Sequence, residues 1–362
     1  MGETEISWTH RPGTVGRSWN PGQGCSRVSD GCRHCYAERM AARFAKDGWS
    51  QGLINLRTGK WNGKVRIAAH KLGEPLRWQK PSTVFVNSMT DMFHEKYTNE
   101  EIAAVFGVMA ACPQHTFQML TKRATRMREW FQWVDGVVSE RNQKLPVIWD
   151  RRAAICWEYA VETIKRTGAA IESSVWNSEM MDRVHTIAWP LPNLWLGVSV
   201  ESQSEDHRIH ELLHTPAVVR FLSLEPLLGP IDLTSTFADA TCRKGALWVI
   251  AGCESGPGAR PCEVDWLRWL RDQCANARVP FFLKQAVGAD ETCTVCHQIV
   301  RYRARNERDA DASCGCTTEG AEDCSPHGVM RGEGSKGKGR GVIELPYLDG
   351  VQHAAFPEVA RG

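Results

Sequence analysis

The chain lacks any long apolar run. No stretch approaches the roughly 18 uncharged apolar residues that a membrane-crossing helix needs, and the opening MGETEISWTHRPG has no basic-then-apolar leader pattern. The expectation these absences set is a cytoplasmic protein with no membrane partner. An excess of charge of one sign is lacking too. Lys plus Arg total 44 against 42 Asp plus Glu, a formal net charge of +2, so no chain-wide field draws the protein to nucleic acid or to an acidic bilayer. Any such attraction has to be local. No repeat of fixed period is present, which sets aside the stacked-repeat architectures.

Apolar substance and cysteine are what the chain does have. Hydrophobic residues make up 42% of its 362 residues, enough to bury a core in one large α/β domain or two modest ones. Fourteen cysteines in a reducing compartment read as metal ligands rather than as a disulfide framework. Eight fall into two sets. Cys25, Cys32 and Cys35 form the first; Cys293, Cys296, Cys314, Cys316 and Cys324 form the second. The remainder (Cys112, Cys156, Cys242, Cys253, Cys262 and Cys274) are scattered and read mostly as small buried hydrophobes.

Short runs rich in β-branched and aromatic residues recur: TVFVNS from Thr83, HTFQML from His115, LWLGVSV from Leu194, VVRFLSL from Val218, LWVIAG from Leu247 and VPFFLK from Val279. They have the look of parallel strands buried on both faces. Between them, NEEIAAVFGVMAAC from Asn99 and EVDWLRWLRDQCANA from Glu263 repeat their apolar residues at three and four, as helices do. The alternation predicts an α/β fold, a partial or complete parallel β/α barrel over residues 1–285. Residues 132–192 read as a helical insertion, 286–340 as a small Cys-rich, zinc-knuckle-like insertion ending in the basic run RGEGSKGKGRG, and 341–362 as a segment packing back on the barrel.

The first cysteine set has the spacing C-x6-C-x2-C just ahead of the helical stretch YAERMAARFA. Three thiolates can hold three irons of a 4Fe-4S cluster and leave the fourth open to something else. With His34 as a fourth ligand the set would instead suit zinc, and a set of free thiols is the third alternative. In the second set, the C-x2-C pair Cys293 and Cys296 is followed about 17 residues later by Cys314 and Cys316. Cys324, His297 and His327 are near enough in sequence to contribute. Any four of these would make a zinc site; an auxiliary iron-sulfur cluster and no metal at all are the alternatives. Between the pairs stand Arg301, Arg303, Arg305 and Arg308, which either contact phosphates of a nucleic acid or simply face water.

Polar residues follow the apolar runs repeatedly. Ser88, Thr90 and Asp91 end one; Thr121, Lys122 and Arg123 another; then come Ser199 and Glu201, Glu225, Glu254 and Arg260, and Lys284 with Gln285. In a β/α barrel this places a polar cavity at the carboxyl ends of the strands. Ion pairs between Glu201, Glu225 and Arg260 across the barrel mouth are the plainer alternative.

The cysteine loop with Tyr36 beside its last thiol resembles that of radical S-adenosylmethionine (SAM) enzymes. More closely, WNPGQGCSRVSDGCRHCYAERMA, FVNSMTDMFH, LTKR, WPLPNLWLGVSVE, RFLSLEPLLGPI, GCESGPGARP, FFLKQ and IELPYLDG are similar to a phage-encoded and bacterial family of unknown function related to those enzymes. The resemblance implies a radical SAM-like, TIM-type barrel, a 4Fe-4S cluster on Cys25, Cys32 and Cys35, and SAM on its open iron. It places Ser88 and Asp91 near the SAM amino group, Ser199 and Glu201 at its ribose, Gly252 at its adenine, and Glu225 and Glu254 on the same cavity wall. It also implies an electron donor and reductive cleavage of SAM to start radical chemistry on a substrate the motifs leave open, with a nucleotide or nucleic acid suggested by the arginines. The rival is a non-catalytic, metal-stapled module that binds nucleic acid or protein. Two departures are plain: most radical SAM enzymes space their cysteines C-x3-C-x2-C, and NSMTDMF stands where a Gly-Gly-Glu stretch is usual.

Overall fold

The computed structural model describes residues 3–142, 150–166, 178–239, 246–255 and 258–287, with short pieces at 291–292, 299–300, 342–344, 347–348 and 351–357. Eight strands form one sheet in chain order: β1 (Val15–Trp19), β2 (Ser82–Val86), β3 (Thr116–Thr121), β4 (Leu194–Ser199), β5 (Val219–Leu224), β6 (Ala246–Gly252), β7 (Phe281–Val287) and β8 (Val342–Glu344). Neighbours from β1 to β7 all pair parallel. β8 lies antiparallel on β7, with Gln285 opposite Glu344. Sequential parallel strands with no reversal of order are the topology of a β/α barrel. Here seven of them curl into an open, partial one.

Strands covered on both faces must be apolar throughout, and every residue of β4 and of β5 is buried. Alternate residues divide the core. Outward-pointing Val84, Val86, Phe117, Met119, Leu196, Leu222 and Val249 pack beneath the helices. Inward-pointing Trp195, Phe221, Trp248 and Phe282 gather near the amino ends of their strands with Trp8 and Phe356. Ring centroids there stand 4.6 Å apart for Trp8 and Phe85 and 5.3 Å for Trp248 and Phe356. Gly197 leaves the space that the Phe221 ring fills. Toward the carboxyl ends the same inward positions turn small and polar, as Ser199, Ser223 and Gly252. The barrel is thus stoppered with aromatics at one end and polar at the other.

Helix α1 (Tyr36–Arg43) follows the first cysteine set. Helix α2 (Asn99–Ala110) starts on a reciprocal cap: Thr98 accepts from the Glu101 N–H while the Glu101 carboxylate accepts from the Thr98 N–H. Helices α3 (Ala124–Asn142), α4 (Arg152–Arg166) and α5 (Ser178–Thr186) fill the described part of 132–192, and α6 (His207–Leu213) and α7 (Val264–Ala277) flank the later strands. Helix α4 crosses α2 so closely that a methyl group at Gly107 would overlap the Cys156 carbonyl. Cys293, Cys296, His297, Cys314, Cys316, Cys324 and His327, with the arginines between them, lie outside the described residues. Among the described residues no helix is long and apolar enough to cross a membrane.

Candidate functional site

After β1 the chain leaves the sheet and returns 42 residues later through a neck in which Gly22–Gln23 pairs antiparallel with Arg66–Ile67. The buried Tyr97 hydroxyl locks this neck, accepting from the Gln23 N–H at 2.9 Å and donating to the Gln23 carbonyl at 3.0 Å. Beyond the neck lie Cys25, Cys32 and Cys35, all half-buried thiols. Gly24 needs its positive φ of 87°, and a side chain there would strike the Lys64 carbonyl.

Polar groups at the carboxyl ends of four strands hold this loop. Arg123, just after β3, donates from Nη2 to the Ser26 carbonyl at 3.1 Å and to its hydroxyl at 2.9 Å. The Ser26 hydroxyl also lies 2.9 Å from Nε2 of His94. Ser29 donates to Oε1 of Glu201 at 2.7 Å. Past β6, Arg260 donates to the Asp30 carbonyl at 3.1 Å, and Glu254 meets Nδ1 of His34 at 3.0 Å. Gly31 passes so near the Glu201 carboxylate that a side chain would not fit.

The anchoring carboxylates are fully employed. Asp91 accepts from Thr121 at 2.7 Å, from the backbone N–H of Phe93 and Lys122 at 3.0 Å each, and from Nη1 of Arg123 at 3.1 Å. Glu201, 1% exposed, takes the Lys122 ammonium on Oε1 and Arg208 of α6 on Oε2 at 2.8 Å. Glu254 accepts three times from Arg260, twice from its side chain and once from its backbone. Burial alone would raise the Glu254 carboxyl; the Arg260 and His34 hydrogen bonds outweigh it and hold the group at about 2.

Charge around the thiols differs from one to the next. Burial, with Asp91 adding to it and Arg123 opposing, pushes Cys25 up to about 12. Cys35 is raised as well, by burial against the opposing pull of the Glu38 and Ala37 backbone. Cys32 is also raised by burial, yet the Lys122 ammonium and the backbone of Val28 and Ser29 turn its net shift downward. Lys122 is itself drawn down to about 8 by burial, against the attraction of Cys32. Cys25 and Cys35 thus feel other thiols of the loop, and a cation stands by two of the three, Arg123 by Cys25 and Lys122 by Cys32. Three cysteines on one loop are the donor set that the expected 4Fe-4S cluster would use. Among the described residues, no three His, Cys, Asp or Glu side chains stand in one ready-made metal-holding group.

The structure therefore brings Asp91, Glu201 and Glu254 to the cysteine loop, where they hold protein groups. Ser88 donates to Asn20 at 3.2 Å, beside the loop's start. Ser199 offers its carbonyl to Arg208, while its hydroxyl shares the inner face with Ser223, its partner in the parallel register. Glu225 stands apart with Lys284 and Gln285, and Gly252 packs on Gln285. His34, a candidate zinc ligand by sequence, turns to Glu254. Sequence reasoning did not single out Arg208, Ser26 or Ser29. Arg208 in a short helix signals nothing until Glu201 is seen beneath it, and a serine flanked by cysteines draws no notice.

No curated protein and no solved structure shows a significant match to this chain. From residue 3 to residue 357 it matches the family described as "Protein of unknown function (DUF5131)", and it belongs to that family.

Proposed function

We propose that this protein is a radical SAM-like enzyme carrying a 4Fe-4S cluster on Cys25, Cys32 and Cys35. One observation carries the reading: a loop with three thiols is fastened over the polar, carboxyl-end mouth of a partial parallel β/α barrel, the end where such barrels do their chemistry. The chemistry such a group supplies is one-electron cleavage of SAM to methionine and a 5′-deoxyadenosyl fragment that takes a hydrogen atom from the substrate. An external electron donor and an organic substrate complete the reaction.

This chain's own residues have distinct parts. The three cysteines hold the metal. Glu201, Asp91 and Glu254 position the loop rather than touch SAM, because each already accepts three or four hydrogen bonds from the protein. The Ser199 and Ser223 hydroxyls, on the inner face above the aromatic stopper, are left to meet a ribose. The stopper of Trp8, Trp248 and Phe356 excludes water from the opposite end. A second metal, zinc, on four of Cys293, Cys296, Cys314, Cys316, Cys324 and His327 is part of the same proposal.

Anaerobic loading with iron and sulfide, reduction in the presence of SAM, and a search for 5′-deoxyadenosine test the reading. The expected result is a brown protein that forms 5′-deoxyadenosine. Ala at Cys25, Cys32 or Cys35 should abolish the colour, since each replacement removes a ligand. Full iron retention in all three variants would defeat the assignment. A brown protein that never cleaves SAM would favour the metal-stapled binding module instead.

A further inference from the structure

We propose that the cysteine-bearing excursion is a docking surface for a single-stranded nucleic acid, whose phosphates meet its arginines and lysines and one of whose bases stacks on Tyr36. For its chemistry this inference rests on the proposed SAM-dependent reading, since it names that enzyme's substrate class; for binding it rests on charge and exposure alone.

The near-neutral chain conceals a sharp division of charge. Residues 20–66 hold nine Lys or Arg against three Asp or Glu, an excess of six where the whole chain has an excess of two, so the rest is acidic on balance. Two of the three acids are already taken: Glu38 lies buried beneath Arg27 with Lys60 at 3.6 Å, and Asp30 is bonded by Arg260. In contrast, Arg33, Arg39, Arg43, Lys46, Arg57 and Lys64 are exposed and have no acidic partner among the described residues. Arg33 stands between two of the cysteines. A polyanion following these cations would pass directly over the thiol loop.

Helix α1 adds the means to hold a base. It buries Ala37, Glu38 and Ala41 against a small core that includes Ile54 and Trp61. That turns Tyr36, Arg39 and Arg43, spaced by three and four, to one outer face. Tyr36 directly follows Cys35 and is 60% exposed; Phe44 is 41% exposed. An aromatic ring among unpaired cations is the pattern by which proteins stack unpaired bases while tracking a backbone. A bilayer fits less well. An interfacial helix puts its cations and apolar residues on opposite faces, whereas here the opposite face is buried in the protein and the aromatic shares its side with the arginines.

The test is fluorescence anisotropy on the full chain with a labelled 20-nucleotide single strand, as DNA and as RNA, against the duplex, inorganic polyphosphate and anionic vesicles. At least one single strand should bind at least tenfold tighter than the other probes, and the two sugars assign the source. Arg39→Glu with Arg43→Glu should weaken single-strand binding at least tenfold and flatten the log-log salt slope by about 1.4, or 0.7 per lost phosphate contact. Tyr36→Ala should cost about tenfold on the single strand and nothing on polyphosphate, with Tyr36→Phe keeping parental affinity. Thermal melts confirm that the variants fold. Equal binding of all probes, or parental affinity in both the charge-reversed and the Tyr36→Ala chains, overturns the inference. Binding is measured on metal-free protein. Strand binding without 5′-deoxyadenosine formation therefore upholds this inference and defeats the SAM reading, and the opposite pair of results does the reverse.

Discussion

Replacing Glu201 by Gln should loosen the cysteine loop and destabilise the whole chain. The carboxylate is 1% exposed and is shared by Ser29, Lys122 and Arg208. Gln keeps the length of the side chain and one acceptor oxygen, but its NH2 group must face either Arg208 or Lys122, donor against donor, and no negative charge remains between the buried Arg208 and the half-buried Lys122. Breaking one buried ion pair costs about 3–5 kcal/mol. Both pairs here use the same carboxylate, so the two losses do not add and the expected total stays in that range. Urea unfolding followed by tryptophan fluorescence reads the loss as a lower midpoint at unchanged slope. Alkylation of Cys25, Cys32 and Cys35 should speed up in parallel, because Ser29 loses its anchor. A destabilisation below about 1 kcal/mol, with thiol reactivity unchanged, would refute the anchoring argument. If SAM affinity fell in that same stable variant, Glu201 would be a ribose ligand after all.

Two further outcomes follow from the same packing. Glu254 is held at about 2, below its ordinary value of 4.5. Its contribution is therefore complete above pH 4.5 and is lost as the pH falls toward 2, on the order of 1–3 kcal/mol after screening at the solvent-facing mouth; acid titration of stability should show this loss in the parent and a flatter profile in Arg260→Ala. Gly107→Ala would press a methyl group into the Cys156 carbonyl where α2 and α4 cross. A loss of about 1–3 kcal/mol is expected from overpacking, and a melting temperature equal to the parent's would show that the crossing can open at no cost.

Six of the seven parallel strands were legible because both of their faces are buried, which leaves a continuous apolar run. β1 was not: in VGRSW the run is broken by Gly16, Arg17 and Ser18. Gly16 is crowded by Thr9 and His10, and the Arg17 guanidinium lies 5.1 Å over the Trp78 ring. Its strand character comes from pairing with β2, a tertiary fact. At the site, polar residues at strand ends announced a polar mouth, and Asp91, Glu201 and Glu254 do converge there. Their partners were hidden, since the contacts from Arg208 to Glu201 and from Arg260 to Asp30 depend on where helices and loops come to rest. The plainer alternative of structural ion pairs describes Glu201 and Arg260 well, although their partners are Lys122, Arg208, Glu254 and Asp30 rather than each other.

The aromatic stopper draws one ring from position 8 and another from position 356, and among the described residues the outer edge of β7 is covered by residues 342–344 and 353–355. A ribosome delivers these pieces in order. Between the emergence of Val287 and that of Glu344 several seconds pass at about 5–20 residues per second. During that interval a nascent sheet presents a bare strand edge and the unsealed rings of Trp248 and Phe282 to every neighbouring chain, the exposure from which aggregation starts. The yield of this protein in a cell is therefore set by how that interval is survived, and slowing synthesis between those two points would lower it.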